Sequence, residues 1–119
     1  MLEDLRILLV EDEALLALDL SMILEDEGAH VMGPCASVGA ALDVTERPDI
    51  ALLDVDLRGE PVFPVADRLV ADGTPIVFHT GRADVADLRA RYGADVPIIP
   101  KPSTPADLVA RMGRAVAHH

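Results

Sequence analysis

The sequence predicts an α/β fold, a three-layer (βα)5 sandwich in which helices cover both faces of a five-stranded parallel sheet. Two features of the 119-residue chain support this prediction. Short, nearly continuous apolar runs alternate five times with longer amphipathic segments. Turn residues separate the segments at short intervals along the whole chain. Because right-handed crossovers place helices on both faces of a sheet, strict alternation implies that the strands are parallel.

The apolar runs are predicted to be strands buried on both faces, because their apolar residues are continuous rather than alternating. They lie at residues 5–10, 30–32, 50–53, 76–78 and 96–99. The amphipathic segments predict helices over residues 13–27, 38–46, 62–71, 83–92 and 105–116. Gly28, Gly73 and Gly93 follow three of these helices, where a left-handed cap favours glycine. Ser37 and Thr104 precede two others, where a hydroxyl caps the first turn.

Length and charge narrow the class of protein. The chain fits a single domain, residues 1–119, with no room for a separate effector domain. Its 21 acidic and 10 basic residues give a net charge of −11, which disfavours nucleic acid and anionic membranes as direct partners. The residues after Met1 lack the pattern of a signal peptide, and no apolar stretch approaches the ~20 residues that cross a bilayer, so we expect neither feature. With Cys35 as the only cysteine, we expect a cytoplasmic protein in a reducing compartment. His118 and His119 are compatible with an expression-tag remnant as well as with a native end.

Ionisable and hydroxyl side chains follow four of the predicted strands, at the end where parallel sheets bind ligands. After the first, third, fourth and fifth strands come, in order, Glu11 and Asp12, Asp54 and Asp56, His79 and Thr80, and Lys101. Because the carboxyl ends of parallel strands lie at one edge of the sheet, we expect these side chains to converge. Lys101 is the only lysine in a chain with nine arginines, which indicates a site that requires a compact ammonium group.

Three carboxylates in one pocket require charge compensation. Two like charges ~4 Å apart repel by ~4 kcal/mol at an effective dielectric constant of about 20. Glu11, Asp12 and Asp54 therefore either retain protons or bind a cation. Carboxylate oxygens without a nearby pair of histidines favour Mg²⁺, which keeps open positions for a phosphoryl oxygen. The Thr80 hydroxyl and the Lys101 ammonium would contact the same phosphoryl group, and a carboxylate can itself be the nucleophile that forms an acyl phosphate.

Four segments contain these residues: Leu8-Leu9-Val10-Glu11-Asp12-Glu13, Ala51-Leu52-Leu53-Asp54-Val55-Asp56, Phe78-His79-Thr80-Gly81 and Ile99-Pro100-Lys101-Pro102. In this order and spacing they resemble the signatures of the response-regulator receiver domain, and the resemblance covers essentially the whole chain. Residues 59–66 and 78–81 are also similar to small alphaproteobacterial receivers that often carry Phe-Ala-Thr-Gly. The resemblance implies a flavodoxin-like fold with strand order 2-1-3-4-5.

The resemblance also implies a role for each residue at the strand ends. Asp54 would accept a phosphoryl group, in a Mg²⁺-dependent step, from a sensor histidine kinase or a histidine phosphotransfer protein. Thr80 and Lys101 would bind the phosphoryl oxygens. The Mg²⁺ ligands would be Glu11, Asp12, Asp54 and the backbone carbonyl of Asp56. Such a receiver is not an enzyme with a separate substrate, although it assists its own phosphorylation and dephosphorylation. Its output would pass by protein contact to a downstream target or a second copy of the chain.

Three positions depart from the usual family pattern and keep alternatives open. Arg58 stands where most receivers have proline, Ile98 where an aromatic ring usually precedes the lysine, and Ser103 where a bulky apolar residue often follows it. A degenerate receiver that acts without phosphorylation is therefore one alternative, and the output mechanism does not transfer from the family. The other is a haloacid-dehalogenase-like phosphatase, which also uses an Asp-x-Asp run, a hydroxyl and a lysine. That family needs an acidic pair after the lysine, where this chain has only Asp107.

The first predicted helix has two apolar stripes. One stripe must face the sheet and consists of Leu16, Leu20, Ile23 and Leu24. The other is rotated well away and consists of Leu15, Leu18 and Met22. Either a neighbouring helix covers this second stripe, or it is a docking surface for a kinase or phosphotransfer helix pair or a second copy of the chain.

Overall fold

The computed structural model describes residues 1–81 and 84–117. The strands are β1 (Arg6–Val10), β2 (His30–Cys35), β3 (Ile50–Leu53), β4 (Asp56–Leu57), β5 (Glu60–Pro61), β6 (Ile76–Thr80) and β7 (Ile98–Pro100). The helices are α1 (Ala14–Asp26), α2 (Val38–Leu42), α3 (Phe63–Ala71), α4 (Val85–Tyr92) and α5 (Pro105–Ala117). The predicted helix start at Ala83, together with His118 and His119, lies outside the described residues. Among the described helices, none has the length and apolarity to cross a bilayer.

The long strands form one parallel sheet in the order β2-β1-β3-β6-β7. Counted without the short strands β4 and β5, this is the order 2-1-3-4-5 that the family resemblance implied. Alternate residues of the strands enter two apolar clusters, one on each face of the sheet. One cluster contains side chains of α2, α3 and α4, and the other contains side chains of α1 and α5. The three-layer α/β prediction is therefore confirmed, and the strand order reverses between β1 and β3.

Several element boundaries differ from the predicted ones. β2 continues through Gly33 and Pro34 to Cys35, and most of its residues are partly or fully exposed. It is an edge strand, where proline is tolerated, so the prediction that all five strands are buried on both faces is wrong for β2. β7, at the other edge, is only partly buried. α2 ends at Leu42 rather than residue 46, because Val44 and Thr45 are β-branched and have low helix propensity. β7 begins at residue 98 rather than 96, α3 begins at residue 63 rather than 62, and β6 runs to residue 80 rather than 78.

The two stripes of α1 have different environments. Leu20 and Leu24 are buried against the sheet, with Leu16 and Ile23 partly buried beside them. The second stripe is exposed, by 77% at Leu15, 57% at Leu18 and 56% at Met22. The interpretation that a neighbouring helix of the domain covers this stripe is therefore wrong. We call these three residues the α1 seam.

A short antiparallel hairpin follows β3 and was not predicted. β4 pairs with β5 so that Leu57 faces Glu60, which leaves Arg58 and Gly59 as a two-residue loop. Both loop residues have positive φ, 55° and 86°, as a type I′ turn requires. The Gly59 N–H donates to Asp56 Oδ1 at 2.8 Å. Because arginine rarely adopts positive φ, the residue types gave little indication of this turn.

Candidate functional site

The carboxyl ends of β1 and β3 bring three acidic side chains together. Glu11 and Asp12 directly follow β1, and Asp54 directly follows β3. The Asp54 N–H donates to the Val10 carbonyl at 2.9 Å, which continues the pairing of the two strands into the site. One oxygen of each carboxylate lies within 4.8 Å of the other two. The Glu11 side chain is only 2% exposed, whereas that of Asp54 is 13% exposed and can be reached from solvent.

Lys101 contacts this acidic cluster from the end of β7. Its Nζ lies 3.0 Å from Glu11 Oε1 and 3.3 Å from Asp54 Oδ1. The Lys101 N–H donates to the Thr80 carbonyl at 2.9 Å, so the lysine is held alongside the end of β6. A Cβ at Gly81 would lie 3.3 Å from the Lys101 Cβ, so glycine permits the close approach of the two loops. Glu11, Asp12, Asp54 and Lys101 therefore lie together in the structure, as their positions after the strands predict.

The charges of the cluster are not balanced. Burial and the adjacent Glu11 carboxylate raise the pKa of Asp54 to about 7, although the charge of Lys101 opposes this rise. Burial lowers the pKa of Lys101, but its hydrogen bond to Glu11 and the charge of Asp54 outweigh burial and raise this pKa overall. The lysine is therefore charged at neutral pH, when the Asp54 carboxyl is partly protonated. A donor set of three carboxylates with a single ammonium suits a hard divalent cation such as Mg²⁺.

Each carboxylate of the cluster accepts a main-chain N–H, a feature that the sequence did not indicate. Glu11 Oε2 accepts from Glu13 at 3.1 Å, and Asp54 Oδ1 accepts from Val55 at 2.8 Å. Asp12 Oδ2 accepts from Arg58 in the β4–β5 loop at 3.0 Å. The first two donors are neighbours in sequence, but the third comes from a separate element and depends on the fold.

The remaining candidate residues, Thr80, His79 and Asp56, also follow or end strands of the sheet, but two of them lie in a different element from the one predicted. Thr80 is the last residue of β6 and is buried at the end of the strand rather than lying in a loop. The prediction that the strand ends at residue 78 and leaves His79 outside the sheet is wrong, because His79 is buried in β6. Its Nε2 lies 3.4 Å from Ser103 Oγ. Burial, and to a smaller extent the positive charge of Lys101, lowers the pKa of His79 to about 4. The Asp56 side chain accepts the Gly59 N–H. That the backbone carbonyl of Asp56 is a Mg²⁺ ligand stays a prediction.

Comparisons with known proteins give matches over most of the chain. Residues 7–113 match the family described as the response regulator receiver domain. The DNA-binding response regulator MtrA of Mycolicibacterium paratuberculosis is 41% identical over 111 residues, which cover 90% of this chain and 49% of that protein. The chain thus spans about half the length of the curated relatives it matches.

Solved structures of response regulators have the same fold as this chain. The response regulator PhyR from Brucella abortus superposes with a TM-score of 0.81 at 25% identity, over 96% of this chain and 48% of that chain. The non-phosphorylated HemR receiver domain from Leptospira biflexa superposes with a TM-score of 0.81 at 27% identity, over 98% of this chain and 97% of that domain. The similarity therefore extends over nearly all of the chain.

Proposed function

The chain belongs to the response regulator receiver domain family, and on that premise we propose that Asp54 is its phosphoacceptor. The donor would be the phosphohistidine of a sensor histidine kinase or of a histidine phosphotransfer protein. An Asp54 carboxylate oxygen attacks the phosphorus, the P–N bond of the donor breaks with its electrons left on the imidazole nitrogen, and an acyl phosphate forms. The observation that carries this proposal is the position of the solvent-accessible Asp54 carboxylate, 3.3 Å from Lys101 Nζ and within the acidic cluster.

The other residues of the site position and neutralise the transferred group. The Mg²⁺ ligands in this proposal are Glu11, Asp12, Asp54 and the backbone carbonyl of Asp56. When bound, Mg²⁺ supplies positive charge that offsets the carboxylates and the phosphoryl oxygens. Lys101 supplies a second positive charge, and the Thr80 hydroxyl supplies a hydrogen bond to the phosphoryl group. The site would assist transfer to and from its own carboxylate rather than act on a separate substrate. The single cysteine, Cys35, is a buried free thiol, which supports a location in the reducing cytoplasm.

The phosphatase alternative has less support than the receiver. Asp107, the only acid in the sequence after Lys101, pairs with Arg111 at 3.1 Å on α5. Incubation with acetyl phosphate and Mg²⁺, followed by intact mass measurement, tests the proposal. A receiver is expected to incorporate a single phosphoryl group per chain. Continuing release of phosphate from a generic phosphate ester would instead favour the phosphatase, and no incorporation would favour a degenerate receiver.

Binding of Mg²⁺ is expected to depend on pH, because the Asp54 carboxyl must lose its proton to act as a ligand. Its pKa is about 7 without the metal, so the carboxylate form becomes scarcer as the pH falls below that value. We expect the Kd for Mg²⁺ to be about tenfold higher at about pH 6 than at about pH 8. Isothermal titration calorimetry at the two pH values measures this difference.

The Asp54→Asn variant is the matched control for this pH dependence. It removes the titrating group and keeps the size of the side chain, so its weaker Mg²⁺ binding should vary less than about twofold over the same range. An equal Kd for the wild type at both pH values would show that Asp54 does not titrate on Mg²⁺ binding.

The α1 seam is the surface that we propose for docking of the phosphohistidine donor. Its three residues are large, apolar and exposed, and they lie on one face of the helix that begins three residues after Glu11. A pair of amphipathic helices on the donor could cover them and bring its histidine to Asp54. A second copy of the chain is the other occupant that this surface fits.

The Leu18→Glu substitution is expected to abolish phosphoryl transfer from a histidine kinase that labels the wild-type chain. A charge at the centre of the seam would have to be desolvated on docking, whereas the acetyl phosphate reaction needs no docking surface. The measurement compares the two phosphodonors on the same protein. Val70→Glu, which places the same charge at a 50% exposed apolar position on α3, is the control and should retain transfer. Unchanged transfer to Leu18→Glu would exclude the seam as the donor surface.

A further inference from the structure

We propose that Arg58 is a positioning residue for the metal site. Its main-chain N–H, presented by the β4–β5 loop, holds the Asp12 carboxylate in the orientation that binds Mg²⁺. The N–H donates to Asp12 Oδ2 at 3.0 Å, across 46 positions of sequence. This inference rests on the proposed function, because it concerns how the same site is assembled.

The hairpin that presents the Arg58 N–H is anchored in the core. Leu57, directly before the loop, is 3% exposed, and Val55 and Val62 on either side of the hairpin are also buried. The Val62 N–H donates to the Val55 carbonyl at 2.9 Å and closes the base of the hairpin. At the tip, the Asp56–Gly59 hydrogen bond supports the turn. The donor therefore has a fixed position relative to the acidic cluster.

Asp12 needs such a donor because of the charges around it. It is half-buried, and one of its oxygens lies within 4.8 Å of oxygens of both Glu11 and Asp54. Lys101 contacts those two carboxylates, and the contact described for Asp12 is the Arg58 N–H. Without it, repulsion would favour rotation of the Asp12 carboxylate away from the cluster and towards solvent. The hydrogen bond opposes this rotation before any cation binds.

The hydrogen bond to Asp12 requires a backbone N–H and a positive φ at position 58. Proline, which most receivers have there, lacks an N–H and holds φ near −65°, so it could neither donate this bond nor adopt the observed φ of 55°. The Arg58 side chain is exposed, which indicates that the main-chain donor, rather than the guanidinium, is the functional group. Glycine would keep the N–H and adopt positive φ more easily.

The test compares Arg58→Pro with Arg58→Gly by calorimetric titration with MgCl₂. We expect the Kd of Arg58→Pro for Mg²⁺ to rise about tenfold, as loss of a hydrogen bond to a charged group implies, and that of Arg58→Gly to stay within about twofold of wild type. Saturating Mg²⁺ should restore the rate of phosphorylation of Arg58→Pro by acetyl phosphate. Circular dichroism and urea unfolding without Mg²⁺ report on folding separately.

A double-mutant cycle shows whether Arg58 acts through Asp12. In an Asp12→Asn background, Arg58→Pro should raise the Kd less than about twofold, because the carboxylate that it positions is gone. An equal effect in both backgrounds, or an Arg58→Gly variant as weak as Arg58→Pro, would overturn the proposal. Should Arg58→Pro fail to fold, Gly59→Val replaces it in the cycle, since a β-branched residue disfavours the φ of 86° and displaces the donor. A wild type that binds no Mg²⁺ overturns the proposed function as well, whereas unaltered binding by a folded variant overturns this inference alone.

Discussion

Asp54→Asn is expected to abolish incorporation of a phosphoryl group from acetyl phosphate in the presence of Mg²⁺. The amide is isosteric with the carboxyl group but is not a competent nucleophile, so no acyl phosphate can form at this position. Intact mass measurement should show one added phosphoryl group on the wild type and none on the variant. The variant should remain folded, because the pKa of Asp54 is raised to about 7 and ionisation of this group therefore opposes folding as the pH rises through that value.

Asp56→Asn is the matched control, since it makes the same change two residues along the chain. The Asp56 side chain is exposed and accepts the Gly59 N–H, a bond that the amide oxygen of asparagine can also accept. We expect this variant to incorporate phosphate as the wild type does. Incorporation by Asp54→Asn at the wild-type level would show that the phosphoacceptor is another residue.

Most of the fold could be predicted because local pattern and topology agree in this chain. Apolar runs such as Ile50–Leu53 are continuous and central in the sheet, and strict alternation with helices predicts that the strands are parallel. The strand order itself was implied by the family resemblance. The edge strand was harder, because Gly33 and Pro34 usually indicate a turn, whereas an edge position tolerates both. The end of β6 was also hard to predict, because the polar His79 interrupts the apolar run. Its pairing with Ile99 nevertheless keeps His79 in the sheet.

The candidate site was predictable to the extent that side-chain chemistry defines it. Glu11, Asp12, Asp54 and Lys101 lie directly after strands, and a parallel sheet places those positions at one edge. The contribution of Arg58 could not be predicted in this way, because it comes from a main-chain N–H that every residue except proline carries. Its direction depends on the positive φ of a turn, and neither the turn nor its register follows from residue type alone.

Lys101→Met is expected to destabilise the domain when Mg²⁺ is absent. The Lys101 ammonium lies 3.0 Å from Glu11, whose side chain is 2% exposed, and its removal leaves a buried carboxylate beside a second one. Because the lysine itself is 23% exposed, we expect a loss of about 2 kcal/mol in the free energy of unfolding, less than for a fully buried pair. Urea unfolding at about pH 8, above the Asp54 pKa of about 7 in the wild type, measures this loss.

Saturating MgCl₂ should recover most of this loss, because a divalent cation among the three carboxylates offsets the charge that the lysine no longer balances. Arg114→Met removes a positive charge from an exposed position of α5 and controls for the change in net charge, with an expected effect within about 0.5 kcal/mol. A Lys101→Met variant that is equally destabilised with and without Mg²⁺ would mean that the lysine contributes through packing of its side chain. Charge compensation at the acidic cluster would then not be shared between the ammonium group and the cation, and the electrostatic basis of the proposed phosphorylation site would fail.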